Sequence, residues 1–261
     1  RQRQMCIRDR AETVLLLGGV PVFADVDPRT FNIDPASVAR LVSERTRVVI
    51  PVHLFGQPCD MAALTAVAKE HGLKVIEDNA QSLGAVRRMS DGASRYAGTI
   101  GEIGCTSFFP SKVLGCYGDG GAVFTDNDEW AALADSYRVH GKGMFKYDNV
   151  RIGMNSRLDT LQAAILKIKF KAFREYELRD INKAAALYTK LLAGRVKTPV
   201  TPEGYYSSWA QYTICLNSRE ERDALQACLK EQGIPSMVYY PTPMHGPVSY
   251  THLTLPTNSL V

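Results

Sequence analysis

The amino-acid sequence predicts an α/β protein with a mostly parallel, helix-covered sheet in a large domain, followed by a small α+β domain. Three observations lead to this fold class. Short runs rich in β-branched and aromatic residues alternate with helical patterns between residues 11 and 124. One of these runs, residues 47–53, is apolar almost throughout, which is typical of a strand buried on both faces. Beyond Pro199 the alternation gives way to a short strand–helix–strand pattern.

The elements are predicted in order along the chain. Strands are expected at residues 21–25, 47–53, 73–77, 103–109, 121–125, 208–216 and 235–239. Helices are expected at residues 35–42, 60–71, 128–139, 156–192 and 219–232. Asp34 and Asp60 are expected to cap the first two helices, and Gly72 to end the second. The stretch 156–192 is too long for one ordinary helix, so we expect a bend or two helices near residues 173–178. The large domain is expected to span residues 11–178 and the small one residues 179–247.

Composition restricts the function classes. A hydrophobic content of 45% with 22% charged residues is that of a soluble globular protein, and no run approaches the roughly 18 apolar residues of a membrane helix. Without a signal-peptide pattern, a cytoplasmic protein with reduced cysteines is expected. The net charge of +4 suits an anionic substrate but is too diffuse for nucleic-acid binding. No histidine pair has metal-ligand spacing, so no metal is expected.

Unusual residues follow three of the predicted elements, at the strand ends where α/β sheets bind ligands. Asp78 leaves a buried strand, and Lys112 follows the next strand, 34 positions later. A lysine supplies an amine for a cofactor aldehyde, and a carboxylate keeps a pyridine nitrogen protonated. Ser107 is placed to reach a phosphate, and the glycine-rich residues 118–121 allow close approach of the backbone. The order indicates a pyridoxal-phosphate site.

Each of these signals alone also fits a structural explanation. A single lysine after a strand is usually an exposed charge, and an aspartate at a strand end is usually a turn or a helix cap. The glycine run alone would be a turn. His53 and His140 are further catalytic candidates, although a structural role is favoured for His53. Only the ordered combination points to the cofactor.

Five longer runs resemble one known family. They are VFADVDPRTFNID (22–34), IPVHLFGQ (50–57), VIEDNAQSLGA (75–85), TSFFPSKVLGCYGDGG (106–121) and GMNSRLDTLQAA (153–164). The chain is similar to the sugar aminotransferases of the DegT/DnrJ/EryC1/StrS family over residues 11–247. The resemblance implies the fold type I aminotransferase architecture and pyridoxal 5′-phosphate as the cofactor.

The resemblance also implies a role for each matching residue. Lys112 would be the Schiff-base lysine and proton shuttle, and Asp78 would pair with the pyridinium nitrogen. Gln81 would contact the phenolic oxygen and Ser107 the phosphate. Asn155 would reach the phosphate of a neighbouring subunit, which implies a homodimer with shared active sites. A related dehydratase branch carries histidine at the position of Lys112, so the lysine favours amino transfer.

The expected substrate is a keto sugar carried by UDP, with glutamate as the amino donor. Tyr117 and the run from Asn155 to Arg157 resemble enzymes that aminate UDP-2-acetamido-2-deoxy-3-keto-glucuronic acid for O-antigen synthesis. Arg157 is the candidate for binding the uronate carboxylate, because its planar fork suits bidentate binding. The alternative is an arginine that stabilises the dimer interface. Tyr240, in a run that often reads His-Tyr-Pro, is a candidate substrate contact or a packed aromatic.

Both ends depart from the family. Residues 1–10 and 248–261 match nothing in it and are expected to be non-native tails. A Ser-Gly-Thr turn for the phosphate and a ring-stacking aromatic normally precede the position of Ala11. Two alternatives to a working transferase therefore stay open, a non-catalytic binding or regulatory protein of the same fold and an inactive fragment. A nucleotide-sugar oxidoreductase is disfavoured, because the pair Gly18 and Gly19 precedes a strand instead of following one.

Overall fold

A computed structural model describes residues 5–145 and 147–239. The helices are α1 (Met5–Leu16), α2 (Pro35–Leu41), α3 (Met61–Glu70), α4 (Asp128–Tyr137), α5 (Thr160–Ala172), α6 (Leu178–Leu192) and α7 (Arg219–Glu231). The strands are β1 (Val48–Val49), β2 (Lys74–Asp78), β3 (Val86–Arg88), β4 (Ser94–Tyr96), β5 (Ile103–Ser107), β6 (Gly121–Phe124) and β7 (Tyr205–Tyr206). Helices α1 and α7 belong to one compact unit, and all other elements belong to a second unit, Ala24–Ile214.

The main sheet of the second unit has the strand order β1-β2-β5-β6. β1, β2 and β5 are parallel, and β6 pairs with β5 in the antiparallel sense. Helix α3 connects β1 to β2, because two parallel strands need a crossover connection. The prediction of an α/β protein with a mostly parallel sheet is confirmed. A second, antiparallel sheet of order β4-β3-β7 was not predicted.

The predicted caps set the helices that cover β1 and β2. Asp34 accepts hydrogen bonds from the Ala36 and Ser37 amides at the start of α2. Asp60 accepts one from the Ala63 amide at the start of α3. Gly72, with φ of +66°, follows α3 and lets the chain turn into β2. The apolar faces of α2, α3, β1 and β2 form one core cluster, whose buried residues are Val38, Val49, Cys59, Met61, Leu64, Ala68, Leu73 and Val75.

The long helical stretch is interrupted where the sequence predicted a bend. A π-helical turn, Phe173–Glu177, joins α5 to α6. Phe173 is 2% exposed and lies against Gly84, where an added Cβ would come within 2.7 Å of the phenyl ring. Phe173 shares the second core cluster with Leu114, Cys116 and Leu166. The bend therefore coincides with the point where the helix inserts an aromatic ring into the core.

Three predicted strands are wrong. Residues 21–25 form no ladder, and the only pairing nearby in the described residues is the isolated bridge between Val26 and Ile33. Residues 208–216 are not a strand, because the chain turns at Trp209, whose φ is +48°. The strand forms instead at Tyr205–Tyr206, and none forms at residues 235–239. The domain boundary between residues 178 and 179 stays a prediction.

Candidate functional site

The carboxyl end of β2 carries Asp78, beside Cys105 of the neighbouring strand β5. Asp78 Oδ1 accepts the Ala80 amide at 2.9 Å, which turns the chain away from the strand. Burial, together with the nearby charge of Asp78, raises the pKa of the Cys105 thiol. The neighbour of Asp78 at this strand end is therefore a neutral thiol.

Ser107 ends β5 on the same face of the sheet as Asp78. Side chains alternate along a strand, so Cys105 and Ser107 share a face, and Cys105 is the register partner of Asp78. Ser107 Oγ accepts the Phe109 amide at 3.2 Å, which leaves its own O–H as a donor. A carboxylate and a hydroxyl donor thus stand at the same edge and face of the sheet.

Gln81 lies in the turn after β2 and is only 5% exposed. Its Oε1 accepts the Phe55 amide at 2.7 Å, and its backbone carbonyl accepts the Ser208 hydroxyl at 3.3 Å. Phe55 is held in the left-handed region with φ of +60°. The carboxamide is therefore fixed through its oxygen, and its Nε2 group is left to donate.

Lys112 lies in the loop between β5 and β6, which is closed by its own hydrogen bonds. The Phe108 amide donates to the Gly120 carbonyl and the Cys116 amide donates to the Phe108 carbonyl, both at 2.8 Å. The thiol of Cys116, which is fully buried, lies 3.0 Å from the Phe108 carbonyl and 3.1 Å from the Gly118 carbonyl. The Lys112 amide itself donates to the Phe109 carbonyl at 2.9 Å. The loop is a defined structure that follows directly from the Ser107 end of β5.

Asn155 and Arg157 are brought together in the segment before α5. Arg157 Nε donates to Asn155 Oδ1 at 2.9 Å, and both side chains are exposed. Asn155 is held by an isolated antiparallel bridge to Val139. The next residue, Leu158, packs against Gly120, where an added Cβ would lie 2.9 Å from its Cδ1 atom. The segment therefore borders the glycine run that follows Lys112.

Tyr240, the first four residues of the expected N-terminal tail and all of the expected C-terminal tail lie outside the described residues. Among residues 5–145 and 147–239, no group of three or more His, Cys, Asp or Glu side chains could hold a metal ion. None of the helices in the same part of the chain has the length and apolar character of a membrane span. The absence of a metal stays a prediction.

A buried pair behind Asp78 was only partly visible in the sequence. His53 and Glu77 are fully buried, and His53 Nε2 lies 2.7 Å from Glu77 Oε2. The same carboxylate accepts three backbone amides, from Gly98 at 2.8 Å, Ile100 at 2.6 Å and Gly101 at 2.5 Å. Strand alternation predicts that Glu77 and Asp78 face opposite sides of the sheet, but it does not identify a partner 24 residues away.

The hydrogen bonds assign the charge of this pair. Burial lowers the pKa of His53, whereas Cys59 and Glu77 favour the charged ring and raise it. However, Nδ1 accepts the Cys59 amide at 3.0 Å, and a nitrogen that accepts cannot also carry a proton. We therefore assign a neutral ring that donates from Nε2. Burial raises the pKa of Glu77, but hydrogen bonds from His53, Gly101 and Gly98 outweigh it and lower the pKa.

The DegT/DnrJ/EryC1/StrS aminotransferase family matches residues 10–259. The chain belongs to this family. A Geobacillus stearothermophilus member named pleiotropic regulatory protein is 48% identical over 239 residues, 90% of this chain and 62% of that protein. The UDP-2-acetamido-2-deoxy-3-oxo-D-glucuronate aminotransferase of Pseudomonas aeruginosa is 45% identical over 236 residues, 90% of this chain and 63% of that protein.

Solved structures of the family share the fold. An aminotransferase of the family from Brucella abortus has a TM-score of 0.82 and 44% identity, covering 93% of this chain and 64% of that one. The ntda protein of Bacillus subtilis, solved with bound cofactor PMP, has a TM-score of 0.76 and 29% identity. The match covers 92% of this chain and 55% of that one. The chain thus spans less than two thirds of the length of these relatives.

Proposed function

We propose that the protein is a pyridoxal-phosphate-dependent aminotransferase that moves an amino group from glutamate to a UDP-linked 3-keto sugar. The observation that carries the proposal is the common face of Asp78 and Ser107 at the ends of two neighbouring parallel strands, with Lys112 in the loop directly beyond. Membership of an aminotransferase family supports the reaction type. The name of the P. aeruginosa relative supports a UDP-linked 3-oxo-glucuronate as the first candidate substrate.

The chemistry of the donor set suits this cofactor. When bound, pyridoxal phosphate supplies an aldehyde that takes up the amino group and a ring that accepts electrons from the substrate carbon. Asp78 would hold the ring nitrogen in its protonated form, and Gln81 would donate from Nε2 to the phenolic oxygen. Ser107 would donate its hydroxyl to the phosphate. The roles of Gln81 and Ser107 use donor groups that their contacts with Phe55 and Phe109 do not occupy.

Lys112 is proposed as the group that moves the proton. Its amine would bind the cofactor aldehyde at rest and, once displaced by an amino substrate, would act as base and acid at the substrate carbon. Such a shuttle must stay within hydrogen-bond reach of that carbon through the reaction. The closed loop around Lys112 is suited to this, because its backbone is tied at Phe108, Phe109 and Cys116.

A homodimer with shared sites is part of the proposal. The segment that leads to Asn155 exposes large apolar side chains, with Met144 90% exposed, Phe145 74%, Ile152 94% and Met154 64%. Where such exposed apolar side chains form one patch, the patch marks an interaction site, and we infer that a second copy covers this segment. Because Arg157 occupies Oδ1 of Asn155, the amide Nδ2 group is oriented as the donor and would bind the phosphate held by a second copy.

The decisive experiment for the proposed function is chemical fixation of the cofactor. We expect borohydride treatment in the presence of pyridoxal phosphate to attach the cofactor to Lys112, as peptide mass spectrometry would detect. Lys112→Ala should lose this label, whereas Lys167→Ala, at an exposed position of α5, should keep it. The measurement is made on this chain and on one extended to the length of its relatives. A label that persists in Lys112→Ala, or its absence from both forms, would contradict the proposal and favour a regulatory or binding protein.

The carboxylate role of Arg157 predicts a selective loss of activity. A charged hydrogen bond contributes about 1.5–3 kcal/mol, so Arg157→Ala should lower kcat/KM for a 3-keto uronate by roughly 10- to 100-fold more than for the neutral 3-keto sugar. The loss on the neutral sugar reports any effect that passes through Asn155. Arg174→Ala, whose guanidinium lies over the Phe170 ring, is the control and should change neither rate. An equal loss on both sugars would assign Arg157 to the subunit interface instead.

We also propose a place in O-antigen or other polysaccharide synthesis, a cytoplasmic location, and substrate contact by Tyr240. The first of these depends on the UDP-linked uronate being the substrate, which the comparison of the two sugars tests.

A further inference from the structure

The loop that follows Lys112 lies against one face of α5. Gln162 Oε1 accepts the Tyr117 amide at 2.8 Å. Lys169 Nζ donates to the Gly115 carbonyl and lies 5.5 Å from the centre of the Tyr117 ring. Between these two polar contacts, Leu166 and Leu114 are buried in the same core cluster. Three contacts therefore bind a four-residue piece of the loop to the helix.

The spacing on the helix explains why the three contacts occur together. Gln162, Leu166 and Lys169 are four and three positions apart, so they lie on one face of α5. The loop positions they meet begin two residues after Lys112. The contacts involve backbone groups of the loop, namely the Gly115 carbonyl and the Tyr117 amide. They thus fix the path of the loop and not merely one side chain.

The loop has little room to adjust on its own. A Cβ at Gly115 would lie 2.6 Å from the Pro110 carbonyl oxygen and 2.7 Å from that of Phe109. The backbone after Lys112, at Gly115, therefore packs closely against the backbone before it, at Phe109 and Pro110. A shift at Gly115 would displace that preceding turn as well. A displacement of about 1 Å at a reacting group can lower a rate by about 100-fold.

We propose that Gln162 and Lys169 are positioning residues. They hold the loop between β5 and β6 in the conformation in which Lys112 reacts. The inference rests on the proposed role of Lys112. Neither side chain is assigned contact with the cofactor or with the substrate. Lys169 acts through the Gly115 carbonyl and Gln162 through the Tyr117 amide.

The experiment measures loop order and Lys112 reactivity in parallel. Lys169→Met and Gln162→Leu remove the two polar contacts, whereas Lys169→Arg and Gln162→Glu keep a donor and an acceptor. Lys167→Met, on an exposed position of the same helix, is the matched control. Amide hydrogen exchange of the Gly115–Tyr117 region should accelerate about tenfold in the first two variants, as expected for the loss of one hydrogen bond. The rate of borohydride-dependent labelling of Lys112 should fall by a similar factor, and the conservative variants should restore both.

The outcomes distinguish a failure of the positioning role from a failure of the proposed function. If the unaltered chain and its extended form are not labelled at Lys112, the proposed function fails, and the exchange data still report the contacts of the loop. If the parent is labelled and Lys169→Met and Gln162→Leu label at the rate of Lys167→Met, the positioning role is overturned. A general loss of stability would lower the melting temperature of every variant at these two sites, the conservative ones included. Recovery of labelling and exchange in Lys169→Arg and Gln162→Glu would therefore indicate positioning.

Discussion

Asp78→Asn is expected to lower kcat/KM for amino transfer by roughly 100- to 1,000-fold, the usual cost of removing one preorganised group that stabilises charge in a transition state. Asparagine keeps an oxygen that can accept the Ala80 amide, so the turn after β2 should survive the change. A neutral amide, however, cannot hold a proton on the ring nitrogen of the cofactor. The cofactor should therefore remain bound and fixable at Lys112, while turnover is lost.

The control for this prediction is Asp135→Asn, an exposed carboxylate on α4 that pairs with Arg138. It should transfer amino groups at the parental rate. The measurement is a coupled assay of amino transfer with glutamate and a UDP-linked 3-keto sugar, made on the chain extended to the length of its relatives. Turnover of Asp78→Asn within a few-fold of the parent would rule out the pyridinium role.

Much of the fold was readable from local sequence signals because those signals act over a few residues. Asp34 and Asp60 cap helices through amides two or three residues away, and Gly72 ends α3 by adopting a positive φ. Pairings between distant segments were not readable in the same way. β7 lies more than 100 residues from its partner β3, and neither run shows which segment it will meet. The predicted strand at residues 208–216 failed because nothing in the local pattern indicates the left-handed backbone of Trp209.

In the candidate site, too, residues identified by local signals were predicted, and their distant partners were not. Asp78, Ser107 and Lys112 follow strands in sequence, and parallel pairing brings the first two to one edge of the sheet. The residues that support them come from elsewhere. His53, which follows β1, meets Glu77 of β2, and Lys169 meets Gly115 over 54 positions. A helical pattern predicts the exposed and buried faces of α5, but it does not say which loop the polar edge will contact.

The largest stability effect is expected from Glu77→Gln. The Glu77 carboxylate accepts hydrogen bonds from His53 and from three backbone amides. In glutamine, one of its two oxygens is replaced by an NH2 group, which donates and cannot accept these bonds. Each buried N–H group that loses its acceptor costs roughly 1–3 kcal/mol, so we expect a loss of a few kcal/mol in the free energy of unfolding at pH 7. Glu102→Gln is the matched control, because Glu102 is partly exposed and its ion pair with Lys74 is 3.5 Å long. It should cost no more than about 1 kcal/mol.

The pH dependence distinguishes a charged carboxylate from a packing effect. The pKa of Glu77 is lower in the folded protein than in the unfolded chain. Its stabilisation is therefore complete above the unfolded value and is lost as the pH falls through the folded value. Urea unfolding between pH 7 and pH 2 should show the parent keeping its advantage down to about pH 4.5, the ordinary pKa of a glutamate. Below that pH the parent should approach the Glu77→Gln variant, which lacks this titration. A difference between the two proteins that stays constant down to the lowest pH would mean that shape, and not charge, carries the effect. Glu77 directly precedes Asp78 on β2, and its carboxylate accepts amides of residues 98–101, just before β5. The hydrogen bonds that this experiment tests therefore lie beside the strand end on which the proposed chemistry depends.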